Sequence, residues 1–125
     1  MDRNEIMAQL STLPFDRSEY WVITGGAMVL YGLREKTHDI DLGCTTKLAD
    51  ELQAAGCAVQ YKADGTRHIT YNKDVELLEN WLFDKVEPVE GFPVISMQGL
   101  LQLKKQLGRE KDLRDVALIE AALEK

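Results

Sequence analysis

Apolar residues recur every three or four positions near both ends of the chain, which is the spacing of the buried face of an amphipathic helix. This pattern predicts a first helix over residues 1–13, which Pro14 ends. It also predicts a helix over residues 96–107 that begins at a capping serine and ends at Gly108, and a last helix over residues 112–123. We therefore expect the chain to begin and end in helices.

The middle of the chain changes to short runs rich in β-branched and aromatic residues, which favour strands. Strands are predicted over residues 21–23, 38–42, 57–61, 67–71 and 74–83, with helices over 27–33 and 45–55. Residues 87–93 contain two prolines and a glycine and are predicted to form a loop, followed by a short extended piece at 94–95. This order of elements predicts an α/β (α+β) fold in one domain over residues 1–125, with a small mixed β-sheet flanked by helices and further helices at the C-terminal end.

Two carboxylates fall on one face of the predicted strand 38–42. Because side chains alternate along a strand, Asp39 and Asp41 point to one face while Ile40 points to the other. Two adjacent carboxylates repel each other unless a cation lies between them, and oxygen-only ligands of this kind suit Mg²⁺. His38 borders the pair but alternates to the opposite face, so we expect it to have a structural role.

A pair of glycines precedes this strand, with one predicted helix in between. Gly25 and Gly26 form a turn that ends a hydrophobic strand and opens the helix, and the exposed N–H groups of a helix N-terminus favour phosphate. Neither a glycine pair nor an Asp-x-Asp pair is specific by itself. In this order, the two together indicate a metal site beside a phosphate site.

The glycine pair, the helix and the run Thr37-His38-Asp39-Ile40-Asp41-Leu42 resemble the signature of the nucleotidyltransferase superfamily with the DNA polymerase β-like fold. The resemblance is to its small prokaryotic members, including those related to antibiotic nucleotidyltransferases and those of toxin–antitoxin systems. It implies that the glycine pair holds the triphosphate of an NTP. It also implies that the two aspartates bind Mg²⁺ or Mn²⁺ together with a third carboxylate from a later strand. Many members have serine where this chain has Gly26, so one hydroxyl donor is absent here.

The third carboxylate is predicted from alternation along residues 74–83. Leu77 and Glu79 fall on the apolar face, and Glu76 falls on the opposite face in the middle of the strand. Glu76 is therefore the preferred ligand, and Asp74, which shares its face nearer the turn, remains the alternative. Most members of the resembled family use aspartate at this position, so the longer side chain of a glutamate is a departure from their pattern.

Two cations are candidates for contact with the nucleotide. Arg34 follows the predicted helix and, if a nucleotide lies on the glycine pair, is the preferred contact for its phosphates or for the acceptor, with Lys36 as the weaker alternative. A looser resemblance extends to the C-terminal helices, where a helix lysine approaches the nucleotide, and it implies Lys104 or its neighbour Lys105. The basic residues between positions 104 and 114 are interleaved with acidic ones, which is also typical of a salt-bridged helix surface.

The composition, with 45% hydrophobic and 29% charged residues, is that of a soluble globular protein. No stretch approaches the roughly 20 apolar residues that span a bilayer, and the N-terminus lacks the features of a signal peptide. We therefore expect a cytoplasmic protein without a membrane partner. The net charge of −6 opposes non-specific binding of nucleic acid, although it leaves a local basic patch open. The two cysteines lack the spacing of zinc ligands, so no zinc site is expected.

The predicted function is metal-dependent transfer of an NMP from an NTP to a hydroxyl of an acceptor, with Asp39, Asp41 and Glu76 as the metal ligands. The acceptor is left open among a protein, an RNA and a small molecule. The alternative is a non-catalytic protein of the same fold that binds a nucleotide or acts as an antitoxin-like interaction protein. Because a chain of 125 residues leaves the cleft open, a homodimer or a protein partner that completes the site is also open.

Overall fold

A mixed sheet of seven strands lies at the centre of the computed structural model, which describes residues 1–125. The strands are β1 (Tyr20–Ile23), β2 (Ile40–Cys44), β3 (Ala58–Tyr61), β4 (Arg67–Thr70), β5 (Val75–Glu79), β6 (Val86–Val89) and β7 (Phe92–Ile95). Their spatial order is β3-β4-β5-β2-β1-β7-β6. β2 runs parallel to β5 and β1 parallel to β7, and the other neighbours are antiparallel.

Five helices accompany the sheet: α1 (Arg3–Thr12), α2 (Thr24–Leu30), α3 (Thr46–Ala54), α4 (Met97–Leu107) and α5 (Glu110–Leu123). α2 packs against β1 and β2, α3 packs against β4 and β5, and α4 packs against both α2 and α5. The predicted mixed sheet flanked by helices is thus confirmed. None of the helices combines the length and the apolar character that crossing a membrane requires.

On the central strands β2 and β5, the side chains of one face are buried and those of the other face are half-exposed. Ile40 and Leu42 of β2 and Leu77 of β5 are buried, whereas Asp41 and Glu76 are half-buried. Since consecutive side chains point to opposite faces, both carboxylates lie on the face away from these apolar residues. The core therefore fixes the side of the sheet on which the carboxylates stand.

Three helix ends follow the capping residues expected from the sequence. The Ser96 hydroxyl accepts a hydrogen bond from the backbone N–H of Gly99 at 3.0 Å, and the Thr45 hydroxyl accepts one from Leu48 at 3.2 Å. Gly108 adopts a φ of +61° and closes α4. The helices predicted over 45–55 and 96–107 accordingly differ from α3 and α4 only at their terminal residues.

The prediction of a loop over residues 87–93 is wrong, because β6 and β7 form a hairpin there. Glu90 and Gly91 have φ values of +52° and +80°, which is the conformation of a tight two-residue hairpin turn. Pro88 and Pro93 stand opposite each other, so the missing N–H donors fall on a single pair of the ladder. β6 is also an edge strand, where a proline is tolerated.

Other elements are shorter or shifted relative to the predictions. β5 ends at Glu79 rather than at residue 83, because Asn80 takes a left-handed φ of +60°. α2 begins at Thr24 and therefore contains the glycine pair, which was predicted to be a turn before the helix. β2 begins only at Ile40, so Asp39 lies in the bend before the strand.

Candidate active site

Three carboxylates converge where β2 begins. Pairing of the parallel strands β2 and β5 places Asp41 directly beside Glu76, and Asp39 lies just before β2. Carboxylate oxygens of Asp39, Asp41 and Glu76 all lie within 4.8 Å of one another. The Ile40 N–H donates to the Asp74 carbonyl at 2.8 Å, which fixes the register of the two strands at this point.

Asp74, the alternative third carboxylate, does not join this cluster. Its side chain accepts a long hydrogen bond of 3.5 Å from Gln9 of α1. It lines a separate groove of about 560 Å³ beside α1, which contains none of the three converging carboxylates. The structure thus brings Glu76, and not Asp74, to Asp39 and Asp41.

The surroundings of Asp41 favour a bound cation. Burial raises the pKa of the Asp41 carboxyl, and the negative charges of Asp39 and Glu76 raise it further against the opposing hydrogen bond from Thr24. A divalent cation would remove both the repulsion and the cost of burial. The donor set consists only of carboxylate oxygens, which fits Mg²⁺ or Mn²⁺ and does not fit a zinc site of histidine and cysteine.

Thr24 supports Asp41 from the start of α2. Its hydroxyl donates to the Asp41 Oδ2 atom at 2.9 Å. Its φ of +52° is an unfavourable conformation for a β-branched residue, and such strain persists where the surrounding structure enforces it. The strained backbone therefore turns the Thr24 side chain toward the carboxylate cluster.

The two glycines have different surroundings. Gly25 lines the cavity beside the carboxylates, and a Cβ atom there would stand 2.4 Å from the Thr37 hydroxyl oxygen. Gly26 is buried against Val22 and is not part of the cavity lining. Gly25 therefore remains a candidate contact of the nucleotide, whereas Gly26 does not reach the cavity.

The cavity that contains the carboxylates has a volume of about 380 Å³ and no hydrophobic lining residue. Four cations also line it: Arg34, Lys104, Arg109 and Lys111. Lys105 is exposed and lies outside this lining, so of the two candidate lysines only Lys104 reaches the cavity. The positive and negative side chains of the site thus share one polar cleft.

Carboxylates of α5 hold two of these cations, Arg34 and Lys104, in place. The Lys104 side chain is nearly fully buried, and its Nζ atom lies 2.9 Å from Asp115 and 3.3 Å from Asp112. Asp115 also accepts from Arg34 at 2.5 Å, so one carboxylate joins a cation of the loop after α2 to a cation of α4. Arg34 and Lys104 therefore enter the cavity already oriented.

The structure has a counterpart among solved proteins. It superposes on the crystal structure of a Thermotoga maritima protein provisionally assigned as a nucleotidyltransferase, with a TM-score of 0.59 over 98% of this chain and 91% of the other. The sequences are 17% identical. No protein-family model matches the sequence, and no curated protein matches it either.

The chain has a nucleotidyltransferase-like fold. Within that fold, six of the seven predicted site residues share one cavity, namely Asp39, Asp41, Glu76, Gly25, Arg34 and Lys104. Their roles in binding or catalysis stay predictions.

His38 is placed differently from our expectation. It is exposed and lines the same cavity as Asp39 and Asp41. The argument from alternation fails because β2 begins after His38, at Ile40, and a residue in a bend does not follow the period of a strand. His38 therefore belongs to the polar lining of the cavity.

Sequence reasoning did not assign several residues that contact the predicted ones. Thr24 donates to Asp41, Asp115 accepts from Arg34 and Lys104, and His68 of β4 lies 3.1 Å from Glu76. The position of Thr24 directly before the glycine pair was a signal in the sequence that it lies at the site. For Asp115 the signal was its place among the interleaved charges of the C-terminal helices, which indicated salt bridges without naming the partners. For His68 the sequence offered no signal, because its contact with Glu76 depends on how β4 pairs with β5.

Proposed function

We propose that this chain is a nucleotidyltransferase that depends on a divalent cation and transfers a nucleoside monophosphate from an NTP to a hydroxyl group. The observation that carries the proposal is the convergence of three carboxylates within 4.8 Å, in a cavity that four cations also line. The likeness in fold to the Thermotoga maritima protein supports the same proposal.

The carboxylates are the proposed cation site. Asp39, Asp41 and Glu76 would hold Mg²⁺ or Mn²⁺, which when bound polarises phosphoryl oxygens and makes a hydroxyl more acidic. Thr24 keeps the Asp41 carboxylate in one orientation through its hydrogen bond. The protein's own contribution is therefore a fixed set of oxygens with high affinity for positive charge.

The cations of the cavity are the proposed contacts of the triphosphate. Arg34 and Lys104 are held by Asp115, so little reorganisation is needed when a negatively charged group enters. Gly25 lines the cavity at the start of α2 and is the proposed backbone contact of a phosphate. The volume of about 380 Å³ lies within the range of roughly 300–1,000 Å³ that is usual for ligand pockets.

The reaction is a substitution at the α-phosphorus. The hydroxyl oxygen of the acceptor bonds to this phosphorus, and the bond from phosphorus to the oxygen that bridges to the β-phosphate breaks. Pyrophosphate leaves with the electron pair, and the hydroxyl proton passes to water. Holding the two reactants in line and stabilising the charge on the phosphates are the tasks of the site residues.

The test is transfer of label from each of the four NTPs, labelled at the α-phosphate, in the presence of Mg²⁺ or Mn²⁺ and host lysate. We expect the wild type to transfer label and Asp39→Asn to lose transfer, because a neutral amide is a poor ligand for the cation. Asp74→Asn is the matched control, since Asp74 lies near the cluster without joining it. The size of the labelled product distinguishes a protein, an RNA and a small molecule as acceptor.

Two outcomes would contradict the proposal. Transfer by Asp39→Asn at the wild-type rate would show that the carboxylates are not required. Binding of an NTP with Mg²⁺ but without transfer would identify a nucleotide-binding protein of the same fold, such as an antitoxin-like interaction protein.

A further inference from the structure

His68 lies against Glu76 on the neighbouring strand. The ladder between β4 and β5 places Thr70 directly opposite Glu76, so His68, two residues before Thr70, is the diagonal neighbour on the same face. The His68 Nε2 atom lies 3.1 Å from the Glu76 Oε2 atom. A carboxylate that ligates a cation is ionised and only accepts hydrogen bonds, so in that state the imidazole is the donor.

This contact contributes little to the stability of the fold. The side chains of His68 and Glu76 are 33% and 38% exposed, and ion pairs or hydrogen bonds at such positions stabilise proteins only weakly. Neither side chain belongs to the apolar core. Neither stability nor core packing therefore explains why His68 and Glu76 are in contact.

The position of His68 limits what it can touch. Thr24, His38 and the three carboxylates line the cavity, whereas His68 does not. The imidazole thus contacts Glu76 without reaching the space that a nucleotide or an acceptor would occupy. A role as a ligand of the nucleotide or as a proton acceptor within the cavity does not fit this placement.

Glu76 has a particular need for such support. A glutamate has one more rotatable side-chain bond than an aspartate, so more conformational freedom must be lost when its carboxylate is held in one place. A hydrogen bond to one carboxylate oxygen restricts this freedom and leaves the other oxygen for a cation. Carboxylates that ligate metals are commonly held in this way by a neighbouring donor.

We propose that His68 is a positioning residue that holds the Glu76 carboxylate toward those of Asp39 and Asp41, so that the three together bind a divalent cation. The inference rests on the proposed function, because it concerns the same cation site. His68 acts through Glu76 and is not itself a ligand or a catalytic residue.

The test is calorimetric titration of the metal-free full chain with Mn²⁺. We expect His68→Ala to weaken binding by about 10–100-fold, which is the usual effect of removing such a partner. His68→Gln should stay within about threefold of the wild type, because the amide nitrogen of glutamine can take the place of Nε2. Thr70→Ala is the matched control on the same strand and face, and we expect it to bind as the wild type does.

A double-variant comparison separates positioning from other effects. In a Glu76→Gln background, His68→Ala should cause little further loss of Mn²⁺ affinity, because the group that it orients is already impaired. The midpoint of thermal unfolding without metal should be the same for His68→Ala and the wild type. The inference would be overturned if His68→Ala weakened Mn²⁺ binding as much in the Glu76→Gln background as it does in the wild type.

Three other results would also overturn it, of which the first two concern His68 alone and the third also contradicts the proposed function. Wild-type Mn²⁺ affinity in His68→Ala, while Asp41→Asn loses binding, refutes the role of His68 alone. Equal loss in His68→Gln and His68→Ala indicates that the imidazole is itself a ligand. Absence of Mn²⁺ binding by the wild type refutes the cation site and the inference with it.

Discussion

Glu76 and Glu79 lie on the same short strand, yet their surroundings are opposite. Glu79 is buried, and Arg67 donates to its two carboxylate oxygens at 2.9 and 2.7 Å. These hydrogen bonds lower the pKa of the Glu79 carboxyl to about 2. Glu76 is half-exposed and shares its space with two further carboxylates within 4.8 Å.

The comparison distinguishes a carboxylate that stabilises the fold from one that does not. The Arg67 guanidinium is the cationic partner of the buried Glu79 carboxylate and also pairs with the exposed Asp50 at 2.8 Å. The charge of Glu76 is not matched in this way, because only His68 offers it a donor. We therefore expect Glu79 of β5 to stabilise the fold and Glu76 to bind the cation.

The largest expected effect is on transfer activity. Glu76→Gln should reduce transfer by about 10³-fold or more, because a bound cation contributes several kcal/mol to transition-state stabilisation. The free energy of unfolding of the metal-free protein should not fall. The measurement is label transfer together with urea denaturation.

Glu79→Gln is the matched variant on the same strand. It should lose stability and keep transfer activity when assayed at a temperature at which it is folded. Loss of transfer in the folded Glu79→Gln protein would contradict the proposal that Glu79 serves stability while Glu76 serves transfer.

The next largest effect concerns the buried ion pair. Arg67→Leu should lower the free energy of unfolding by about 3–5 kcal/mol, because it leaves the Glu79 carboxylate buried without a partner. Urea denaturation at neutral pH measures this loss. Arg3→Leu is the control, since the Arg3–Glu90 pair is exposed and its removal should cost less than about 1 kcal/mol.

Lowering the pH should change the stability contributions of Glu79 and of Asp41 in opposite directions. The pKa of Glu79 is about 2 in the folded chain against its usual 4.5, so its contribution is present above pH 4.5 and is lost as the pH falls toward 2. Over this interval the wild type should lose on the order of 3 kcal/mol more than Glu79→Gln. Equal losses in urea denaturation at each pH would contradict the assignment.

The stability contribution of Asp41 should depend on pH in the opposite direction to that of Glu79. Burial raises the pKa of its carboxyl, so the metal-free protein loses stability as the pH rises through that pKa. Asp41→Asn should therefore gain stability relative to the metal-free wild type on going from acid to neutral pH. The same denaturation series measures the difference between the two proteins.

The smallest effect is expected at Thr24. Thr24→Val keeps the shape of the side chain but removes the hydrogen bond to Asp41, so Mn²⁺ affinity should fall by about tenfold. Thr24→Ser retains the hydroxyl and should bind Mn²⁺ as the wild type does. A calorimetric titration that finds no difference between the two variants would show that Thr24 does not support the cation site.

Local patterns were sufficient for several parts of this molecule. Alternation along β5 assigned Glu76 and Glu79 to opposite faces, and Ser96 and Thr45 marked the starts of two helices. The pair Asp39 and Asp41 also stood out from the sequence. These features depend on residues close together in the chain, which is why periodicity and capping rules find them.

Other parts depend on contacts between distant segments. The parallel pairing of β2 with β5, which brings Asp41 beside Glu76, joins residues that are far apart in sequence. The left-handed backbone at Thr24 and the hairpin that contains Pro88 run against local preferences, so packing with neighbouring elements must enforce them. No local pattern carries that information.

The most direct test of the central claim is the midpoint of thermal unfolding of the wild type and Asp41→Asn, each measured with and without Mn²⁺. The account predicts that the metal-free variant is at least as stable as the metal-free wild type, because a buried charge among like charges has been removed. Mn²⁺ should raise the midpoint of the wild type only, since a ligand stabilises the folded state that binds it. A variant that unfolds at a lower temperature without metal, with an equal response of both proteins to Mn²⁺, would contradict the account.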